Sequence, residues 1–129
     1  MYATNARNAY VDNSVATASP TRLLVMLYDR LVLDLQRAVE AQRAGNHPES
    51  HNQLVHAQDI VIHLRSTLNV EAWDGGPGLA SIYDWLHVQL IKANMKKDLA
   101  MTEGCLSIVS DLADTWRAAA LQAAAPTGT

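Results

Sequence analysis

Apolar residues recur at every third or fourth position in four stretches of this 129-residue chain. The stripes of the first, third and fourth stretches are Leu24, Leu27, Leu31, Leu35 and Ala38; Leu79, Ile82, Leu86, Leu90 and Ala93; and Thr102, Leu106, Val109, Ala113, Trp116 and Ala120. In the second stretch the apolar stripe consists of Leu54, Ala57, Val61, Leu64 and Leu68. Because an α-helix has about 3.6 residues per turn, this spacing places the stripe on one face of a helix. The chain has no Phe, whereas strands favour aromatic and β-branched residues. The pattern therefore predicts an all-α protein.

The first helix is marked at both ends. Ser19 can cap free backbone N–H groups, and Pro20 fits the first helical turn, where its missing N–H is not needed. We expect this helix to run to about Arg43, because Gly45 then supplies a C-terminal stop.

Similar signals separate the other three helices. Pro48 opens the second helix, which should end near Asn69. The segment 74–78, Asp-Gly-Gly-Pro-Gly, is the strongest helix breaker in the chain. The third helix follows this segment and should end near Lys96, and Asp98 should cap the fourth helix.

Four amphipathic helices with short connections favour an antiparallel up-down four-helix bundle. We expect three parts: a flexible or docked N-terminal arm at residues 1–18, the bundle at residues 19–123, and a disordered tail at residues 124–129.

Composition and charge argue against several classes of protein. The formal net charge is −3, whereas binding to nucleic acid requires a concentrated basic face. Cys105 is the only cysteine, so no internal disulfide can form. The polar N-terminus predicts no signal peptide, and no apolar run approaches the roughly 20 residues that span a bilayer. We expect a cytoplasmic protein without membrane insertion.

No motif predicts catalysis, a cofactor or a metal. The chain has no His-Glu-x-x-His, and a di-metal carboxylate bundle requires two Glu-x-x-His motifs. Asp84 with His87 is the nearest match, and it stands alone. A Ser/His/Asp triad is left open, because its members meet only in the fold. We expect a protein that is not an enzyme, with no cofactor and no metal site.

The helices carry more apolar residues than one stripe requires. Val55 and Ile62 lie off the stripe of the second helix, and Val25 lies off the stripe of the first. The fourth helix has a second row: Met101, Cys105, Ile108 and Leu112. One interpretation is that these rows widen the core. The other is that part of this surface meets another chain, since a helix that is apolar nearly all round must be covered.

Several short pieces follow one another in a particular order between Tyr10 and Trp116. They are Tyr10; Ala18-Ser19-Pro20 with Leu23, Leu24, Met26, Leu27, Tyr28 and Asp29; Leu68 before Gly75-Gly76; Ile82-Tyr83-Asp84-Trp85; Leu90 with Ala93-Asn94; Asp98; and Trp116. In this order and spacing, they resemble the flagellin-specific export chaperone family of bacterial flagella.

The resemblance implies a helical bundle that binds the disordered C-terminal segment of newly made flagellin. It implies that binding prevents premature polymerisation and helps to present flagellin to the export gate; some members also bind an anti-sigma factor. In that family the N-terminal arm, with the position that matches Tyr10, occupies the client surface when no client is bound. Pro77 and Gly78 depart from the family pattern, and so does Trp85.

The two arguments together predict a partner-binding surface. Its candidate residues are Tyr10, Val25, Tyr28, Val55, Ile62, Tyr83, Met101, Ile108 and Leu112. For Tyr28 and Tyr83 the alternative is a core tyrosine with its hydroxyl at the rim. The alternative function is a structural or regulatory bundle that self-associates through the same rows without a flagellin client.

Overall fold

The computed structural model describes the backbone of residues 19–124 and the side chains of residues 19–122. The predicted arm at residues 1–18 and residues 125–129 of the predicted tail lie outside the described residues, so those predictions stay untested. The described elements are α1 (Pro20–Arg43), α2 (His47–Thr67), a 3₁₀ turn (Val70–Ala72), α3 (Gly76–Lys96) and α4 (Leu99–Ala124).

The four helices form a ring around one core. Both α1 and α3 pack against α2 and α4, so α1 and α3 lie diagonally opposite each other. Residues 19–124 contain no strand, and the prediction of an all-α four-helix bundle is confirmed. Within the described chain, none of the helices combines the length and the apolar character that a membrane span requires.

The first helix begins and ends as predicted. The side chain of Ser19 accepts a hydrogen bond from the backbone N–H of Arg22 at 3.1 Å, and Pro20 occupies the first turn. After Arg43, Gly45 adopts a positive φ of 70°. Glycine adopts this left-handed conformation without steric cost, which explains the sharp turn into α2.

The link between α2 and α3 differs from the prediction. Helix α2 ends at Thr67, a 3₁₀ turn follows, and α3 already begins at Gly76. Pro77 belongs to the first turn of α3, where proline needs no N–H partner. Gly76 lies against the backbone of Val70, and a Cβ at this position would come within 2.0 Å of the Val70 carbonyl oxygen. Part of the predicted breaker is therefore helical.

The link between α3 and α4 is a tight turn. Lys97 adopts the left-handed conformation with φ 53°. Asp98 then caps α4, because its Oδ1 accepts a hydrogen bond from the backbone N–H of Met101 at 3.1 Å. The predicted cap of the fourth helix is thus confirmed.

The core is built from the predicted stripes of the first three helices, with one correction in the fourth. The buried row of α4 consists of Thr102, Cys105, Val109 and Ala113. Leu106, which we had assigned to the core stripe, is only half-buried. Cys105 therefore belongs to the core row and not to a second, outer row.

Candidate partner-binding surface

Eight of the nine candidate residues are described by the structure, and Tyr10 lies outside the described residues. The eight do not form one continuous patch. The helices that carry them place them along three different seams of the ring and, for the two tyrosines, inside the core.

Val55 and Ile62 lie on α2 beside its seam with α3. Their side chains are 37% and 49% exposed. Ile62 lines a cavity of about 320 Å³ between α2 and α3. Its apolar lining is Val61, Ile62, Leu68 and Tyr83, and its polar lining is Arg65, Ser66, Asp84 and His87. This seam is therefore an open groove of mixed apolar and polar character, and the exposed Val55 lies outside the cavity on the same helix.

Polar contacts at the rim hold the α2–α3 groove in place. Arg65 Nε donates to Asp84 Oδ1 at 3.0 Å near one end. Nearer the other end, the Asn94 side-chain amide contacts His51 Nδ1 at 2.9 Å. These contacts tie α2 to α3 on either side of the exposed apolar side chains, so the groove width is set without covering them.

Met101, Ile108 and Leu112 lie on the side of α4 that faces α3. All three are half-buried, and Leu112 packs against the core cluster. The row therefore serves partly to widen the core, as one of our two interpretations held. What is left exposed continues along the α3–α4 seam.

Val25 lies at a third seam, between α1 and α4. It is half-buried and lines a cavity of about 520 Å³ with Thr21, Ala120 and Leu121, at the edge of which Arg117 lies. The aliphatic floor and the guanidinium at the edge make this groove suited to an amphipathic segment.

Tyr28 and Tyr83 are core residues, with exposures of 0% and 2%. Their hydroxyl groups share a hydrogen bond of 2.7 Å that crosses the bundle from α1 to α3. Burial raises the pKa of both phenols, so both remain protonated at neutral pH and the hydroxyl pair stays uncharged. Both were candidates for the partner surface, with a core position as the alternative. The structure places them in the core, and their hydroxyls are bonded to each other and not exposed at the rim.

An aromatic cluster at one end of the bundle was not predicted. Trp116 of α4 lies between Tyr28, at a ring distance of 6.4 Å, and Trp73, at 6.3 Å. Beside it opens a cavity of about 390 Å³, floored by leucines of α1 and α2 and bordered by His63. The position of Trp73 just before the breaker was the only sequence signal, since its partners come from distant elements.

A buried carboxylate between α1 and α2 was also missed. The Asp34 side chain is fully buried, and its Oδ1 accepts a hydrogen bond from Arg30 Nε at 3.0 Å. Its other oxygen contacts Nδ1 of His56 on α2. A buried carboxylate requires such partners, and the contact with His56 links α1 to α2. An aspartate at a core-facing helical position was the available signal.

Three exposed apolar side chains of α3 were missed as well. They are Trp85, Val88 and Met95. Successive members are three and seven residues apart, so they share the face of α3 that lies opposite its core row. The prediction considered only the core stripe of this helix.

The single cysteine lies in the core. Burial raises the pKa of the Cys105 thiol to about 11, so the thiol stays protonated and weakly reactive. Within residues 19–122, no three His, Cys, Asp or Glu side chains are grouped as a metal site would need. The accessible features are apolar grooves with polar rims.

Comparison with known proteins gives consistent results. The family profile described as flagellar protein FliS matches residues 3–123. The chain is 31% identical over 115 residues to the flagellar secretion chaperone FliS of Bacillus subtilis strain 168, covering 89% of this chain and 86% of the relative. It is 33% identical over 109 residues to the protein of the same name from Vibrio cholerae, covering 82% and 79%.

A solved structure described as a flagellar chaperone from bacteria has the same fold. The TM-score is 0.73 at 19% sequence identity, and the match covers 92% of this chain and 98% of that chain.

Proposed function

Since this chain belongs to the FliS family of flagellar secretion chaperones, we propose that it binds the disordered C-terminal segment of flagellin in the cytoplasm. Binding prevents flagellin from polymerising prematurely and assists its export, through contact with the export gate. The protein acts as a chaperone and not as an enzyme.

The exposed apolar side chains of α2 at the groove between α2 and α3 carry this proposal. Val55 and Ile62 are exposed although the core does not need them, and the ion pair of Arg65 with Asp84 ties α2 to α3 at this seam. An amphipathic helix of the client can lay its apolar face into such a groove, with anchors about one and two turns apart. Val55 and Ile62 are seven residues apart on α2, which is about two helical turns. They can therefore contact client side chains that are also two turns apart.

The energetics require more than one groove. A disordered client loses conformational entropy when it orders on a surface. Burial of apolar surface stabilises the complex by about 25 cal/mol per Å². A single short groove therefore does not offset the entropy that the client loses. The apolar side chains at the α3–α4 seam, Met101, Ile108 and Leu112, and Val25 at the α1–α4 seam supply further area around the bundle. A client that wraps through several seams reaches the necessary interface.

Tyr28 and Tyr83 contribute indirectly in this proposal. Their shared hydrogen bond joins α1 to α3 across the core, which fixes the positions of the helices whose edges form the grooves. Tyr10, outside the described residues, stays a predicted contact or placeholder.

Calorimetry with the C-terminal segment of the host's flagellin tests the proposal. We expect one-to-one binding with a large negative heat-capacity change, because apolar surface is buried. Val55→Asp/Ile62→Asp should weaken binding by at least about 50-fold, since two charges would enter an apolar contact.

A matched control adds the same charge away from this groove. Asn52→Asp/Gln36→Glu introduces two negative charges at exposed polar positions of α2 and α1 and should change affinity only slightly. Circular dichroism should show equal helicity for both double variants. Absence of binding by the unaltered protein would defeat the proposal, and light scattering that shows concentration-dependent mass would favour the self-associating bundle instead.

A further inference from the structure

The outward face of α3 combines exposed apolar side chains with lysines. Trp85, Val88 and Met95 are 43%, 46% and 78% exposed. Lys92 and Lys96 lie at three- and four-residue spacing within the same row and are exposed. On a bundle helix this outermost row is ordinarily polar, so the three apolar side chains here are not explained by the bundle core.

The charge of this face is of one sign. No Asp or Glu occurs between Trp85 and Lys97. The only carboxylate on α3, Asp84, is paired with Arg65 of α2. No ion pair joins Lys92, Lys96 or Lys97 to a carboxylate of the described residues. Although the whole chain has a net charge of −3, α3 presents an unbalanced positive face.

The shape of the face distinguishes it from the client grooves. The crest of α3, away from both of its seams, carries Trp85, Val88 and Met95. None of these three side chains lines the cavity at the bundle end, the one at the α2–α3 seam or the one at the α1–α4 seam. A partner helix docks by laying its apolar face into a groove, which a convex crest does not offer. A bilayer surface, in contrast, accepts a convex crest.

We propose that the α3 crest, defined by Trp85, Val88, Lys92, Met95 and Lys96, binds peripherally to the surface of an anionic lipid bilayer. The lysines contact acidic headgroups. The side chains of Trp85, Val88 and Met95 enter the interfacial layer, where Trp is favoured. The helix lies on the membrane and stays part of the bundle, so this binding is separate from the flagellin-binding function proposed above.

The physical magnitudes suit weak, reversible binding. Each lysine close to an anionic bilayer contributes about 1 kcal/mol, a factor of about five in the partition coefficient. Contact of two lysines and three apolar side chains is therefore measurable, and it weakens with ionic strength because the electrostatic part is screened.

Vesicle sedimentation tests the inference with the full-length protein. The probes are vesicles of phosphatidylcholine mixed in equal parts with phosphatidylglycerol, and vesicles of phosphatidylcholine alone. We expect binding to the anionic vesicles only. Lys92→Glu/Lys96→Glu should lower the partition coefficient at least about 25-fold. Val88→Ser/Met95→Ser should lower it by a smaller factor.

The control places the same charge change on the diagonally opposite helix. Arg22→Glu/Arg37→Glu alters exposed residues of α1 and should leave binding within about twofold, apart from the long-range effect of net charge. The fluorescence of Trp85 is obtained by subtracting the emission spectrum of Trp85→Tyr from that of the unaltered protein. Its emission maximum should shift to shorter wavelength when anionic vesicles are added, and not with vesicles of phosphatidylcholine alone.

Three results would overturn the inference. The first is that the unaltered protein binds neither type of vesicle. The second is an equal loss in the α1 and α3 charge variants, which would show a dependence on net charge alone. The third is that Lys92→Glu/Lys96→Glu leaves vesicle binding intact but weakens binding of the flagellin segment, which would assign the crest to the client. Failure of vesicle binding while Val55→Asp/Ile62→Asp still abolishes client binding would leave the proposed function standing.

Discussion

The two ends of the bundle differ in how the chain connects the helices. At one end there are two short turns, residues 44–46 between α1 and α2 and residues 97–98 between α3 and α4. At the other end the longer segment 68–75 joins α2 to α3, and a cavity of about 390 Å³ opens between the helices. The tight end is specified by local signals: a positive φ at Gly45, and caps from Asn46 and Asp98. The open end is held by aromatic contacts between distant elements. Local turn chemistry thus closes one end, and long-range packing shapes the other.

The interiors of the two ends also differ. Tyr28 and Tyr83 fill the open end and satisfy each other's hydroxyl groups. At the tight end, the buried Thr102 hydroxyl donates to the Asp98 carbonyl oxygen at 3.2 Å. Gln42 nearby has both side-chain polar atoms buried with no hydrogen-bond partner among the described residues. At the open end, Trp116 Nε1 is likewise buried with no hydrogen-bond partner among the described residues, so each interior keeps an unsatisfied polar side chain.

The largest expected effect comes from the aromatic packing of the open end. Tyr28→Ala should lower the free energy of unfolding by about 3–5 kcal/mol, because it removes a fully buried ring and leaves the Tyr83 hydroxyl without its partner. Denaturant unfolding followed by circular dichroism measures this. Trp73→Ala, at an exposed position of the same end, should cost clearly less. Equal losses would show that the packing is not centred on the tyrosine pair.

The next effect tests the link at the open end. Gly76→Ala should lower the free energy of unfolding by about 1–3 kcal/mol, since the added Cβ collides with the Val70 carbonyl and forces the backbone to shift. Gly78→Ala is the control, because a Cβ there meets no atom within 4 Å. We expect it to leave stability unchanged or to raise it by about 0.5 kcal/mol. If both variants behaved alike, the close approach at Gly76 would not constrain the link.

The smallest effect is expected at the tight end and has the opposite sign. Gln42→Met should raise the free energy of unfolding by about 1 kcal/mol, because a side chain of similar shape replaces a buried amide without partners. Gln36→Met, at an exposed position of the same helix, should have almost no effect. Thermal unfolding of the two variants gives the comparison. A loss of stability in Gln42→Met would show that its amide is satisfied in solution.

The contrast between the ends also separates what the sequence predicted from what it missed. The limits of α1 and the cap at Asp98 follow from residues that act within one helical turn, and these predictions are confirmed. The start of α3 at Gly76 was missed, because the two glycines read as a turn although one of them is needed for contact with Val70. That contact exists only once the 3₁₀ turn folds back on α3.

The candidate surface shows the same division. The apolar surplus on α2 was readable from spacing, and Val55 and Ile62 are indeed exposed. Tyr28 and Tyr83 were assigned to the same surface, yet a tyrosine on an amphipathic helix points inward or outward according to which neighbour covers it. The two rows of α4 raised the same question, and burial of Cys105 answered it. When a helix carries two neighbouring apolar rows, spacing alone does not fix how the helix is rotated about its axis, and therefore does not fix which residues face the core.

The sequence by itself determined the number of helices, most of their limits and the excess of apolar residues, because periodicity and capping act over three or four positions. It also carried the resemblance to the flagellin export chaperones, through the order of short motifs. Only the tertiary structure decided which apolar residues lie in the grooves, that the two tyrosines bond inside the core, and that no helix of residues 19–124 covers the crest of α3. These properties depend on which helices become neighbours in the ring, and that arrangement is set by packing between residues far apart in the chain.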